Sequence, residues 1–274
     1  MSKFGEYNDI TVNVDNLVAT VEINRPPHNF FDLTLINQIA NAFELLDESS
    51  ECRSIVLCAE GKSFCAGANF TDGRDLKGDD SAPQDKATET AGEDLPISHL
   101  YVEAVRLFRT RKPIVGAIQG AAIGGGLGLA MVPDFRVACP EARFAANFTR
   151  LGFHPGFGLT CTLTETIGRK NAEMMFYTSR RIKGDEAVAM GMADVLVPQD
   201  QVRAAAIEFA REIAECSPLG VVACRQIMRE GLADRVAAAT DKELAIQNAL
   251  RQTDDFAEGV KAMTERRVPN FKGA

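Results

Sequence analysis

Residues 113–131, PIVGAIQGAAIGGGLGLAM, lead β-branched residues into three consecutive glycines, Gly124, Gly125 and Gly126, and then into a segment that predicts a helix from near Leu127. Few chain paths accommodate such a run. Glycines at the end of a strand let the main chain adopt angles closed to other residues and approach a neighbour or a ligand closely. The first N–H groups of the helix have no intrahelical partner and sit at the positive end of its dipole, so they form a cradle for an anion or a developing oxyanion. Close packing of helix on sheet is the other reading of the same glycines. A dinucleotide grip would need G-x-G-x-x-G and an acidic residue about twenty positions on, and that spacing is missing. Gly61-Lys62-Ser63 also lacks the earlier glycine of a phosphate loop.

A second small-residue corner, KSFCAGANF at 62–70, follows the apolar run SIVLCA, which reads as a strand buried on both faces. Two strand-end corners whose N–H groups converge can hold one oxygen as it gains charge, each donor being worth roughly 10²–10³ in rate.

The rest of the chain supplies the scaffold. Residues 10–23 alternate apolar and polar around Asp15-Asn16, predicting a hairpin. Pro26-Pro27 ends that sheet, and Leu33, Ile36, Ile39, Phe43 and Leu46 recur at helical spacing. A helix around 102–108, the strand PIVGAI, the helix after the glycines, the strand FRVAC and the apolar run RFAAN continue the alternation. This order predicts a layered α/β fold with right-handed crossovers. Beyond DVLVP, helices near 200–216, 218–232, 236–250 and 254–264 predict a change of character, giving an α/β core over 1–198 and a helical region over 199–274.

Composition narrows the function. With 30 Lys+Arg against 38 Asp+Glu the 274-residue chain carries a net charge of −8, the wrong sign for a general nucleic-acid binder. Eight acidic and three basic residues fall within 72–94, a stretch without apolar periodicity that reads as a solvated surface loop or a gate beside the second corner. No long apolar segment and no basic-then-apolar opening occur, so a soluble, cytoplasmic protein without membrane contact is expected. Seven cysteines, an odd number with no C-x-x-C pair, read as reduced core residues. The three histidines are scattered, and no metal site is expected.

Several motifs in order resemble the enoyl-CoA hydratase/isomerase (crotonase) superfamily along essentially the whole chain: NRP near residue 24, SFCAGA at 63–68, KPIVGAIQGAAIGGGLGLAM at 112–131, the strand at Asp134, FxxxxxxLGFHPGFG at 144–158 and GDEAVAMGMADVLVP at 184–198. The resemblance implies a spiral of ββα units with a C-terminal helical trimerisation region, assembled as a homotrimer or dimer of trimers. It implies an acyl thioester of coenzyme A as ligand, with coenzyme A part of the substrate and no separate cofactor. The thioester carbonyl would be held by the N–H groups of Ala68 and Gly125, flanked by Ala66 and Gly124, so that one oxyanion hole serves a thioester enolate or a tetrahedral anion.

The chain departs from the pattern where the chemistry is done. Hydratases of this family carry two glutamates, which fall here on Gly128 and Phe148, and neither residue moves a proton. The nucleophilic aspartate of the aroyl-CoA dehalogenase branch falls on Gly156. His154 is the first candidate for proton transfer, with a structural histidine as the alternative; Tyr101, His99, Asp72 and Asp75 are weaker ones. Phe30, Phe31, Phe148 and Phe153 are candidate walls of the acyl site. Arg25, Lys62 and the basic tail at 261–272 are candidates for the coenzyme phosphates. Isomerisation, hydrolysis, retro-Claisen cleavage, decarboxylation or an unusual hydration all stay open. A non-catalytic acyl-CoA binder is the alternative, and an RNA-binding relative a distant third.

Overall fold

Alternating burial along residues 10–23 resolves into β1 (Ile10–Asp15) and β2 (Val18–Ile23), paired antiparallel with Asp15 opposite Val18. The turn is Asn16-Leu17, one position beyond the expected pair. Both residues have positive φ, 47° and 68°, the mirror-type turn that matches strand twist. In this computed structural model residues 3–69 and 100–274 are described. The acidic stretch 72–94, with Asp72 and Asp75, and His99 therefore lie outside the described residues.

Helix α1 (Leu33–Glu48) begins at Asp32, whose Oδ1 accepts from the Leu35 N–H at 2.9 Å, and buries Ile36, Ile39, Phe43 and Leu46. Strand β3 (Ser54–Ala59) is buried at all six positions. Then come α2 (Leu100–Phe108), β4 (Ile114–Ile118), β5 (Ala121–Ile123), α3 (Gly125–Ala130), β6 (Phe135–Ala138), β7 (Arg143–Ala145), α4 (Leu159–Thr178), β8 (Ile182–Lys183), α5 (Gly184–Ala189) and β9 (Val195–Leu196). The chain closes with α6 (Val202–Glu215), α7 (Pro218–Met228), α8 (Leu232–Leu250) and α9 (Asp254–Thr264). Strands β5 and β8 were not anticipated; each is three residues or fewer, too short for a period to register.

The strands form two sheets. One runs β1-β2-β3-β4-β6-β9, parallel after the opening hairpin; the other runs β5-β7-β8. The chain visits both sheets on each turn: β4 belongs to the first, β5 to the second, and α3 leads on to β6 and β7 in the same alternation. Cys65 joins the second sheet by a parallel bridge to Ala122. The result is a spiral of ββα units, as expected.

Helix α6 packs on β3 and β4. Half-buried Asp134 ties α7 to the sheet, its carboxylate accepting from Arg225 at 2.9 Å, from the residue after that helix, Arg229, at 2.8 Å, and from the Ile114 N–H at 2.8 Å. Cys52, Cys58, Cys65 and Cys139 are buried, as the core reading requires, whereas Cys216 and Cys224 are exposed on the C-terminal helices. The basic tail folds back on its own chain: Lys272 and Gly273 N–H groups donate to Asp255 at 2.6 and 2.8 Å, and Arg267 pairs with Glu258. No described helix is long and apolar enough to cross a membrane.

Candidate functional site

The register of the second sheet decides what meets at the site. Cys65 lies beside Ala122, with the Cys65 N–H donating to Ala121 O at 2.9 Å and the Ile123 N–H to Cys65 O at 3.0 Å. Three residues beyond each stand Ala68 and Gly125. Ala122 in turn pairs with Phe144, and three residues beyond Phe144 stands Asn147. Successive turns of the spiral thus deliver three strand ends side by side.

The corners touch, which is why glycine occupies them. A Cβ on Gly67, where φ is +87°, would lie 2.6 Å from Ile123 O and 3.7 Å from the Gly125 nitrogen; one on Gly126 would lie 2.0 Å from Cys65 O. Close packing and main-chain exposure are therefore the same fact here. Phe31 N–H donates to Gly67 O at 3.1 Å, and buried Asn29 donates to Glu60 O and Ser63 O, both at 2.8 Å, fixing the first corner from behind. Neither the Ala68 N–H nor the Gly125 N–H donates to a main-chain carbonyl among the described residues.

Both corners open on a cavity of about 390 Å³. Ala66, Ala68, Gly124, Gly125, Tyr101 and Phe148 all line it, as do Phe30, Phe31 and Phe153. The rings interlock edge to face: Phe148 with Phe153 at 5.5 Å, and Phe31 with Phe157 at 5.8 Å. Phe157 explains one break in the motif pattern, because a Cβ on Gly128 would lie 2.6 Å from its Cβ. An aromatic ring therefore fills the space into which a side chain at 128 would project.

The cavity's polar corner joins three distant segments. Tyr101 of α2 donates its hydroxyl to Gln247 Oε1 of α8 at 2.7 Å, and Gln247 Nε2 donates to His154 O at 2.8 Å. That second bond fixes which end of the amide faces the phenol, so Tyr101 is the donor, and its oxygen in turn accepts from the Phe157 main chain. Burial pushes the Tyr101 phenol well above its ordinary range, and the Glu243 carboxylate pushes the same way. Gly156 leaves room for this pair: a Cβ there would lie 1.9 Å from the Tyr101 oxygen. Glu243, although buried nearby, caps α4 by accepting from Gly158 and Thr160 N–H groups at 2.7 and 2.9 Å.

Three expected residues do not reach the cavity lining. His154 contributes its carbonyl, not its ring; its Nδ1 must donate to Pro155 O at 2.8 Å, since a carbonyl only accepts. Arg25 is held by Asp9 at 2.7 Å and Asp32 at 2.8 Å, bracing the loop before α1. Lys62 is exposed to one side of the first corner. Conversely, the lining includes Asp32, Asn147, Phe157, Arg181, Gln247 and Arg251, which sequence reasoning did not single out. Gln247 and Arg251 share a helical face with Leu244, but nothing in a lone helix says which other segment its face meets.

Comparison with known proteins agrees with this geometry. The enoyl-CoA hydratase/isomerase family model matches residues 13–274. A probable enoyl-CoA hydratase of Bacillus subtilis is 28% identical over 97% of the chain and 99% of its own length. Among solved structures, an enoyl-CoA hydratase/isomerase from Pseudoalteromonas atlantica superposes with a TM-score of 0.82 at 25% identity, covering 97% of this chain and all of that one. A carnitinyl-CoA hydratase from Mycobacterium avium gives 0.81 at 25% identity, covering 97% and 99%.

Proposed function

Since the chain belongs to the enoyl-CoA hydratase/isomerase family, we propose that it is an enzyme that binds an acyl-CoA thioester carbonyl between the Ala68 and Gly125 N–H groups and stabilises the anion formed from it. One observation carries this reading: the register Cys65–Ala122 sets the two strand ends together at the mouth of an apolar cavity. Donors fixed in the main chain need no reorganisation as charge develops on the oxygen, and in a site shielded from water their effect is large. Phe148 and Phe153 offer the acyl chain an apolar wall.

The proton chemistry differs from that of a two-glutamate hydratase. Among the described lining residues the titratable groups are Asp32, Tyr101, Arg181 and Arg251. Asp32 is engaged with Arg25 and the Leu35 N–H. Tyr101 is committed to Gln247 and to the Phe157 main chain, so it does not donate to carbon. The reactions that fit are those in which bond cleavage itself produces the enolate, as decarboxylation or retro-Claisen cleavage does. The second reading, a non-catalytic acyl-CoA binder, is favoured by the same rings at Phe157 and Phe148 that exclude the glutamates.

A panel of acyl-CoA thioesters, assayed for turnover beside measured affinity, separates the two. Turnover of any member, reduced roughly 10²–10³-fold when Gly125→Ala drives a methyl into Phe31, supports the enzyme. Tight binding with no turnover across the panel supports the binder.

A further inference from the structure

We propose that Asn147 reads an oxygen carried on the third carbon of the acyl group, so that the site selects thioesters in which C3 is a ketone or a carboxylate carbon. The proposal rests on the acyl-CoA reading above and adds the substrate class and the side chain that recognises it.

Three strand ends meet at the cavity, and that reading assigns two of them to the thioester oxygen through Ala68 and Gly125. The third ends at Asn147. It is brought in by the pairing of β5 with β7, in which Ile123 lies beside Ala145 and the Gly124 N–H donates to Ala145 O at 2.8 Å. Asn147 follows two residues later, lines the cavity and is half-buried. Its amide makes no hydrogen bond among the described residues. The buried amides of Asn29 and Gln247, by contrast, are each held at both the oxygen and the nitrogen.

Gly124 shows which way the amide is turned. A Cβ there would lie 3.2 Å from Asn147 Oδ1 and 3.8 Å from Phe148 Cζ, and apart from its chain neighbours no other described atom would come within 4 Å. The oxygen end of the amide is thus turned to the glycine, leaving Nδ2 and its two protons outside that contact. Gly124 therefore looks out between an amide and a ring, one peptide bond before the donor at Gly125. An acyl chain running from that donor to the aromatic wall passes this gap with its second and third carbons.

Methylenes at that point would strip water from the amide and offer it no acceptor. An oxygen on C3 accepts from Nδ2 and removes the cost. Enolate-forming cleavage asks for the same atom. Decarboxylation and retro-Claisen cleavage both break the C2–C3 bond, its electron pair passing into the thioester as the enolate. C3 departs as carbon dioxide in the first and, once water has added to the ketone, as a carboxylic acid in the second; in each, C2 takes its proton from water.

Calorimetric titration of the full-length protein with amide analogues, in which nitrogen replaces the thioester sulfur so that the acyl group survives the measurement, tests this. The 3-methylbutanoyl, 3-oxobutanoyl and malonyl groups share one branched skeleton and differ in whether C3 carries methyls or oxygens. At least one of the two oxygenated analogues should bind about tenfold tighter than the 3-methylbutanoyl one, the scale of a hydrogen bond made where an amide would otherwise be left dry. Which of the two is preferred tells ketone from carboxylate. Asn147→Asp, which keeps the shape of the side chain and removes its donors, and Asn147→Leu, which removes its polarity, should each bring that ratio down to about one. Equal binding of all three analogues by the wild type overturns the proposal and needs no variant to be seen. A preference that survives in either variant also overturns it, because the oxygen is then read elsewhere. If none of the three binds, the acyl-CoA reading itself fails.

Discussion

The glycine corners and the aromatic wall face each other across one cavity, yet they are built from different materials. At the corners every functional group is main chain, and the side chains have been reduced to hydrogen or methyl so that two strand ends can touch. At the wall every functional group is a side chain, drawn from α2, the turn after β7, the loop before β8, and α8. On the proposed function, the corners would hold the part of a substrate that all thioesters share, and the wall would meet the part that differs.

If that division is right, substitutions should separate the two regions by the size and kind of their effect. The largest loss is expected for Gly67→Ala, which places a methyl 2.6 Å from Ile123 O at a φ of +87°; about 3 kcal/mol of stability should disappear in urea unfolding, together with thioester binding. Restoring a carboxylate with Gly128→Glu should cost about 2 kcal/mol, since Phe157 already fills the space. A double-mutant cycle with Phe157→Leu should then be non-additive by about 1 kcal/mol. Additivity would show that the two residues do not compete for one volume.

Tyr101→Phe should be milder, costing about 1 kcal/mol for an amide oxygen left without its donor, while affinity for the thioester stays near wild type. The same variant changes the response to alkali. Because burial raises the Tyr101 phenol above its unfolded value of 10.0, its contribution is intact below that pH and is lost as the pH climbs beyond it. Stability of the wild type should therefore fall in that range more steeply than that of Tyr101→Phe. Parallel alkaline curves would place the phenol in water.

The corners were legible in the sequence for the same reason that they are fragile. A backbone that needs positive φ or contact within van der Waals distance demands glycine, and GGG after a strand leaves little choice. Ala68 and Gly125 were singled out through the family resemblance, as was the spiral, whereas the alternating apolar runs by themselves indicated a layered α/β order. The wall was only half legible. Phe148 and Phe153 stand in the recognisable stretch at 144–158, but Gln247, Arg251 and Arg181 carry no local signal, because what matters about them is which distant element they meet. His154 shows the opposite failure: a titratable ring drew attention, whereas the residue acts through its carbonyl. The positions of the two missing carboxylates were marked as gaps, but nothing local revealed that the ring of Phe157 fills the space beside Gly128.

The bare Cα at Gly156 has a consequence for how this protein could acquire new chemistry. Any side chain introduced there evicts the Tyr101 hydroxyl, and eviction strands Gln247, whose other bond anchors the loop at His154. A side chain at that spot therefore presupposes a change at Tyr101, so the order of replacement is set: α2 gives way first, and the loop follows.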